Sequence, residues 1–226
     1  KYLCIYLPWW ASDLAKKGLQ RSTPSFFEEG CSSLLSPFPV LLTVSAAERL
    51  QVKRFCAGAA KAGVYEGMAL EHATALLPDA MIKPFLPGED FKNLCALARQ
   101  ALKFSPIASL DPSLLKAFKE NALDKCPPIY NGLVLDLSGT DRIYPRLDLL
   151  AKQIIAILAQ NGIQAKIGSA PTIGAAWALS RFGAGKICEA GVVPLTKILG
   201  DFPLEALRLE EHTVSALKPV SYTHLR

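Results

Sequence analysis

Gly132-Leu-Val-Leu-Asp-Leu-Ser-Gly-Thr-Asp141 decides how this chain is read. Leu133, Leu135 and Leu137 alternate with Val134, Asp136 and Ser138, which describes a strand with one apolar face and a carboxylate on the other, ended by Gly139. Upstream, Ile107-Ala-Ser-Leu-Asp111 reads as a second short strand carrying a carboxylate, and Lys1-Tyr-Leu-Cys-Ile-Tyr-Leu7 as a third. A site built across adjacent strands would draw its acids from Asp111 and Asp136. Both also admit a plainer reading as a solvated strand end and a cap, since single carboxylates on strands are common.

Outward from these strands, the spacing predicts a helix over 11–19 after Pro8-Trp9-Trp10, a loop over 20–39, and a buried β-branched strand over 40–45. Ala47, Leu50, Arg54, Ala57 and Lys61 recur at helical spacing, so 46–62 is expected to be helical up to Gly63. Residues 67–77 form a second short helix stopped by Pro78, 81–84 are extended, and 91–104 are helical, which makes a small all-helical insertion ahead of the carboxylate strands. Beyond the central strand, 146–161 is an amphipathic helix through Leu149, Leu150, Ile154, Ile157 and Leu158, closed by Asn161-Gly162. Residues 164–169 follow as a strand and 172–182 as a small-residue helix closed by Gly183. The pattern is α+β, around a mixed sheet of the palm or ferredoxin-like kind.

Composition narrows the class. The 226 residues are 50% hydrophobic with mean hydropathy +0.23, ample for a buried core. The net charge of +5 is mild and evenly spread, so a nucleic-acid partner is permitted but not demanded. Six scattered cysteines without a Cys-x-x-Cys pair argue for reduced core thiols and against structural zinc or a disulfide scaffold. No apolar run reaches the ~20 residues that span a bilayer, and no secretory signal is recognised, so a cytoplasmic location without membrane partners is expected. Dinucleotide and P-loop phosphate cradles and the nucleophile elbow are all missing. His72 has no second ligand at helical spacing, and His212 and His224 form no pattern with it.

Four ordered blocks now show a resemblance. Gly63-Val-Tyr-Glu-Gly-Met68 with Leu70, Ala73 and Leu76-Leu-Pro78 resembles the fingers signature of the Y-family (UmuC-like) translesion DNA polymerases. Phe104-Ser-Pro106 with Ser109-Leu-Asp111, and Leu135-Asp-Leu-Ser-Gly139 with Arg142-Ile-Tyr144, resemble their palm hairpin. Lys166-Ile-Gly-Ser-Ala-Pro171 and Ala178-Leu-Ser-Arg181 resemble the palm strand and helix that follow. The chain looks most like the catalytically degenerate ImuB-type members. The resemblance implies a palm over 1–10 and 85–185, small helical fingers over 11–84, and the start of a thumb over 186–226. Glu210 to Lys218 would open a helix–hairpin–helix, 219–226 fit no continuation and suggest a fragment, and the little finger is absent.

Departures from the family decide the expected activity. An active member is expected to hold two magnesium ions between acids on the first strand and an acid pair on the hairpin. This chain offers Tyr6 and Pro8 for the former and Asp111-Pro112 for the latter, leaving Asp111 as the residual catalytic candidate and Asp136 as a weaker one. No intact metal site and no cofactor are therefore expected. The tyrosine and arginine that grip the triphosphate fall on Ala57 and Ala60, with Lys61 nearby as a solvated alternative. Trp9 and Trp10 stand where the family places its nucleotide-pocket aromatics, and are expected to fill the palm–fingers junction. The stretch 112–131 is an insertion, either a partner surface or a tolerated excursion.

The resemblance thus implies a non-catalytic subunit in DNA repair, SOS mutagenesis and translesion synthesis, in the bacterial cytoplasm near the nucleoid. Its implied partners are damaged or primer-template DNA, the sliding clamp, an error-prone polymerase and a RecA-like accessory protein. One alternative is an active polymerase using Asp111 with Asp136 or Asp141 and magnesium. The other is a DNA-binding scaffold without those partners.

Overall fold

β1 (Tyr2–Tyr6) is covered on both faces, with Leu3, Cys4 and Ile5 all fully buried. In this computed structural model, which describes residues 1–17, 26–27, 38–46, 48–185, 187–189, 195–209 and 213–214, β1 is the centre of the molecule. The expected helix at 210–218 apart from residues 213 and 214, the tail at 219–226, His212, His224 and most of the 20–39 loop lie outside the described residues.

After β1 the chain forms α1 (Trp10–Lys17), β2 (Val40–Ala46), β3 (Arg49–Phe55), α2 (Ala57–Lys61), α3 (Leu70–Leu76), β4 (Met81–Pro84) and α4 (Pro87–Ala101). It continues through β5 (Ile107–Leu110), α5 (Pro112–Lys119), β6 (Gly132–Asp136), α6 (Leu147–Gln160), β7 (Lys166–Ala170), α7 (Ile173–Phe182), β8 (Ile187–Glu189) and α8 (Leu195–Gly200). A five-stranded sheet runs in the order β5-β6-β1-β7-β8, antiparallel except for the parallel β7/β8 edge. A three-stranded sheet runs β3-β2-β4, with β2/β4 parallel. This is the mixed α+β arrangement anticipated from the pattern.

Alternation along β1 and β6 sends successive side chains into different cores. Leu3, Ile5, Leu133 and Leu135 join Leu94 and Leu97 of α4 and Ile154 and Leu158 of α6 in the larger core. Cys4 and Val134 face Ala175, Ala176 and Trp177 of α7 in the other. α1 serves both sheets. Trp10 and Leu14 enter the larger core, while Ala11 and Ala15 pack on Val40 and Leu42 of β2.

The residues between the first strand and the carboxylate strands are not all helical. The helix expected over 46–62 is instead the end of β2, all of β3 and the short α2, with Glu48 at φ 63° in the turn. Arg49-Leu-Gln-Val-Lys-Arg-Phe55 contains good helix formers, but pairing with β2 puts Val52 in a core with Leu41, Ala59 and Met68, and that burial outweighs local propensity. α3 is also shorter than the expected 67–77 helix. In α6 the buried stripe runs through Leu147, Leu150, Ala151, Ile154, Ile157 and Leu158, whereas Leu149, expected on the apolar face, is 50% exposed.

Candidate functional site

Strand register sorts the candidate acids. Tyr6 pairs with Gly132 and with Lys166, and Leu110 pairs with Leu133, so Tyr6 and Asp111 share one end of the sheet. Asp136 pairs with Tyr2 and Ile107 at the other end. Because β5 and β6 are antiparallel, Asp111 and Asp136 are separated by roughly 13 Å of strand, at about 3.3 Å per residue. Asp136 accepts from the Ser138 amide at 2.9 Å, and this hydrogen bonding holds its carboxyl below the ordinary value. Asp141 is exposed and pairs with the Lys1 ammonium at 3.2 Å. The structure brings neither of them to Asp111.

Asp111 is buried at 2% exposure, and three donors take its oxygens. As N-cap of α5 it accepts from the Ser113 amide at 3.0 Å. Its Oδ2 accepts from Trp177 Nε1 at 2.7 Å, and its Oδ1 from Arg208 Nη2 at 3.1 Å. Arg208 also lies over the Trp177 ring, 5.1 Å from its centroid, as does Arg181 at 4.5 Å. Arg181 is in turn 4.6 Å from the Tyr6 ring. Tyr6, Arg181, Trp177 and Arg208 are therefore joined by successive ring–guanidinium contacts beside one carboxylate. Burial pushes the Tyr6 phenol above its ordinary value, against the opposing effect of Arg181.

Arg181 is 7% exposed. It donates to the Ile129 carbonyl, the Cys4 thiol and the Ser180 hydroxyl, while its Nη2 has no partner among the described residues. Arg208, at φ 58°, is in the left-handed region that non-glycine residues rarely adopt. Trp177 and Arg208 were not among the sequence candidates. A single buried indole on an alanine-rich helix and one arginine in a loop far along the chain carry no spacing signal; only the tertiary fold juxtaposes them.

The two magnesium ions that the family resemblance implies do not suit these residues. Tyr6, Pro8 and Pro112, where the resemblance would put acids, offer no carboxylate, and the oxygens of Asp111 are engaged. Among the described residues no group of three His, Cys, Asp or Glu side chains is placed to hold a metal ion.

On the side expected to receive a nucleotide, Ala57 and Ala60 lie on α2 and Lys61 ends it, exposed. The neighbouring cations are engaged: Lys53 and Arg54 both pair with Glu66 at 2.8 Å, and Arg54 also donates to the Cys126 carbonyl in the 112–131 insertion. Trp10 is buried, its ring 5.5 Å from Phe26 and its Nε1 donating to the Asp90 carbonyl at 2.9 Å. Trp9 packs 6.0 Å from Phe55 of β3. Both tryptophans sit at the junction of the two sheets.

A pocket of about 390 Å³ opens beside Trp9, lined by Pro8, Asp13, Lys16, Gln164 and Lys166 among others. Burial raises the Asp13 carboxyl from an ordinary 3.8 to about 7, although the Gln164 amide donates to it at 2.9 Å. Asp90 is likewise raised to about 7 by burial, opposed by Arg54.

No family model matches the chain. Over 150 residues it is 30% identical to Protein ImuB of Caulobacter vibrioides, in strain NA1000 / CB15N and in strain ATCC 19089 / CIP 103742 / CB 15. The match covers 65% of this chain and 28% of that protein, so the chain spans well under half the length of the curated relatives it matches. Among solved structures, a post-insertion binary complex of Dbh DNA polymerase is similar at TM-score 0.65 and 14% identity, over 97% of this chain and 57% of that one. DinB from Sulfolobus solfataricus is similar at TM-score 0.62 and 13% identity, over the same shares of the two chains. At these identities the structural likeness speaks to the fold alone.

Proposed function

We propose, for a chain that is ImuB-like in sequence and has the palm-like fold of the Y-family DNA polymerases, a non-catalytic role in the response to DNA damage. In this reading it binds damaged or primer-template DNA and helps recruit an error-prone polymerase for translesion synthesis in SOS mutagenesis. The sliding clamp and a RecA-like accessory protein are the further partners, and the bacterial cytoplasm near the nucleoid is the location. The observation that carries the non-catalytic part is the state of Asp111. Phosphoryl transfer by two metals needs several carboxylates facing shared ions. Here one carboxylate is closed off by Trp177 and Arg208, and the neighbouring positions are Tyr6, Pro8 and Pro112. Asp136 and Asp141, which an active enzyme would have to recruit, are held elsewhere.

Primer extension by the purified protein, with magnesium and then manganese, tests this beside an Asp111→Ala control. No extension in either metal, with the control indistinguishable, is the expected result; extension that Asp111→Ala abolishes would overturn the reading. Affinity capture of the clamp and of an error-prone polymerase tests the recruiting role, and strong primer-template binding without either would favour a scaffold acting alone.

A further inference from the structure

Beside Asp111, where the fold would place a divalent cation, this chain places a guanidinium. Arg208 Nη2 donates to Oδ1 at 3.1 Å, the Asp111 side chain is 3% exposed, and the pair lies against the Trp177 ring. A carboxylate so buried is costly unless a cation and hydrogen bonds compensate it. Arginine suits that task, because its charge is permanent, its fork is planar, and it is more weakly hydrated than a small metal ion. Magnesium, by contrast, sheds its water reluctantly and needs several oxygens in a near-octahedral set.

Backbone and packing both aim Arg208 here. It follows a 3₁₀ turn at Leu204–Leu207, and its amide donates to the Glu205 carbonyl at 3.2 Å. Its φ of 58° is a sparsely populated conformation for an arginine, of the kind that persists where surrounding contacts over-determine it. The same turn packs on α7, which carries Trp177. One residue from beyond the five-stranded sheet therefore closes the site and ties the following segment to it.

We propose that Arg208 is a built-in replacement for the metal ion at Asp111, which keeps divalent cations out of the site and clamps the 204–209 segment onto the sheet. The proposal goes beyond the reading above and does not rest on it, since a guanidinium in this place would act alike whatever the protein recruits. It differs from an ordinary buried ion pair in one consequence: removing the guanidinium opens Asp111 to metal.

The test uses the full protein with ¹⁵N-labelled tryptophan. Three indole N–H signals are expected from its three tryptophans, with that of Trp177 identified by its loss in Trp177→Phe. Paramagnetic Mn²⁺ is then added. The Trp177 signal persists in the wild type, is selectively lost in Arg208→Gln, and persists again in Asp111→Asn/Arg208→Gln. Selective loss in the wild type, abolished by Asp111→Asn, would overturn the proposal, as would persistence in a folded Arg208→Gln. Should Arg208→Gln fail to fold, Arg208→Lys keeps the charge; persistence there supports exclusion by the cation, and selective loss overturns it. The readout is independent of polymerase activity, so its failure and that of the function proposed above are distinguishable.

Discussion

Trp177 Nε1 donates to Asp111 Oδ2 at 2.7 Å, joining two buried side chains 66 residues apart in the chain. The bond is charge-assisted and dry, the combination in which losing a donor costs most. Trp177→Phe keeps most of the ring but leaves that oxygen without its donor. An unfolding free energy lower by about 2–3 kcal/mol is expected from denaturant titration. A loss within experimental error would mean that water takes the place of the indole.

Asp13 sets a pH dependence. Its carboxyl titrates near 7 in the folded protein against an ordinary 3.8, so between these values the folded state alone holds the proton. Stability from this group is therefore full below about pH 4, falls as pH rises towards about 7, and is level above, by an amount of the order of a few kcal/mol. Asp90, raised to about 7 as well, acts in the same direction. Melting temperatures compared at about pH 5 and about pH 8 should fall with pH, and Asp13→Asn, which keeps an acceptor for the Gln164 amide, should flatten the slope. An unchanged slope in that variant would refute the assignment to Asp13.

Gly168 on β7 lies where the backbone of α7 comes closest. A Cβ there would fall 2.5 Å from the Ser180 amide nitrogen and closer still to the Ala176 carbonyl oxygen. Neither atom can move without displacing the helix. Gly168→Ala is expected to cost about 3 kcal/mol or more, read by thermal or chemical denaturation. Gly174, in the first turn of α7, has nothing among the described residues within 4 Å of the same atom. Gly174→Ala should be neutral or stabilise by up to about 1 kcal/mol.

Adjacent leucines on α6 separate burial from pattern. Leu150 is 2% exposed and Leu149 is 50% exposed. Leu150→Ala should lose about 2–5 kcal/mol, while Leu149→Ala should stay within about 0.5 kcal/mol of the wild type in the same denaturation experiment. Equal losses would place Leu149 in an interface with another molecule.

Strands of both sheets and one long helix were legible in the residues themselves. The alternation in Gly132–Asp136, the β-branched run at Val40 and the helical stripe of α6 each carry a period that burial on a sheet or helix face imposes. Hydrophobic period is a local property, so it survives without the rest of the chain. That Asp111, Pro8, Pro112, Ala57 and Ala60 stand at these positions was equally open to a sequence reading, because a residue's identity needs no coordinates.

Other features were decided by pairing at a distance. Residues 49–55 became a strand because β2 was available to receive Val52, a condition no window around Val52 contains. Leu149 left the core because the exact roll of α6 is set by what it packs against. Asp111 and Asp136 parted to opposite ends of the sheet because β5 and β6 run antiparallel, and register is a relation between strands. The contacts among Tyr6, Arg181, Trp177 and Arg208 draw on three separate parts of the chain, β1, α7 and the residue after the 204–207 turn. Sequence alone determined the local periods and which residue stands at each position; only the tertiary structure decided what surrounds Asp111, because long-range contacts are made by the fold and leave no local period to read.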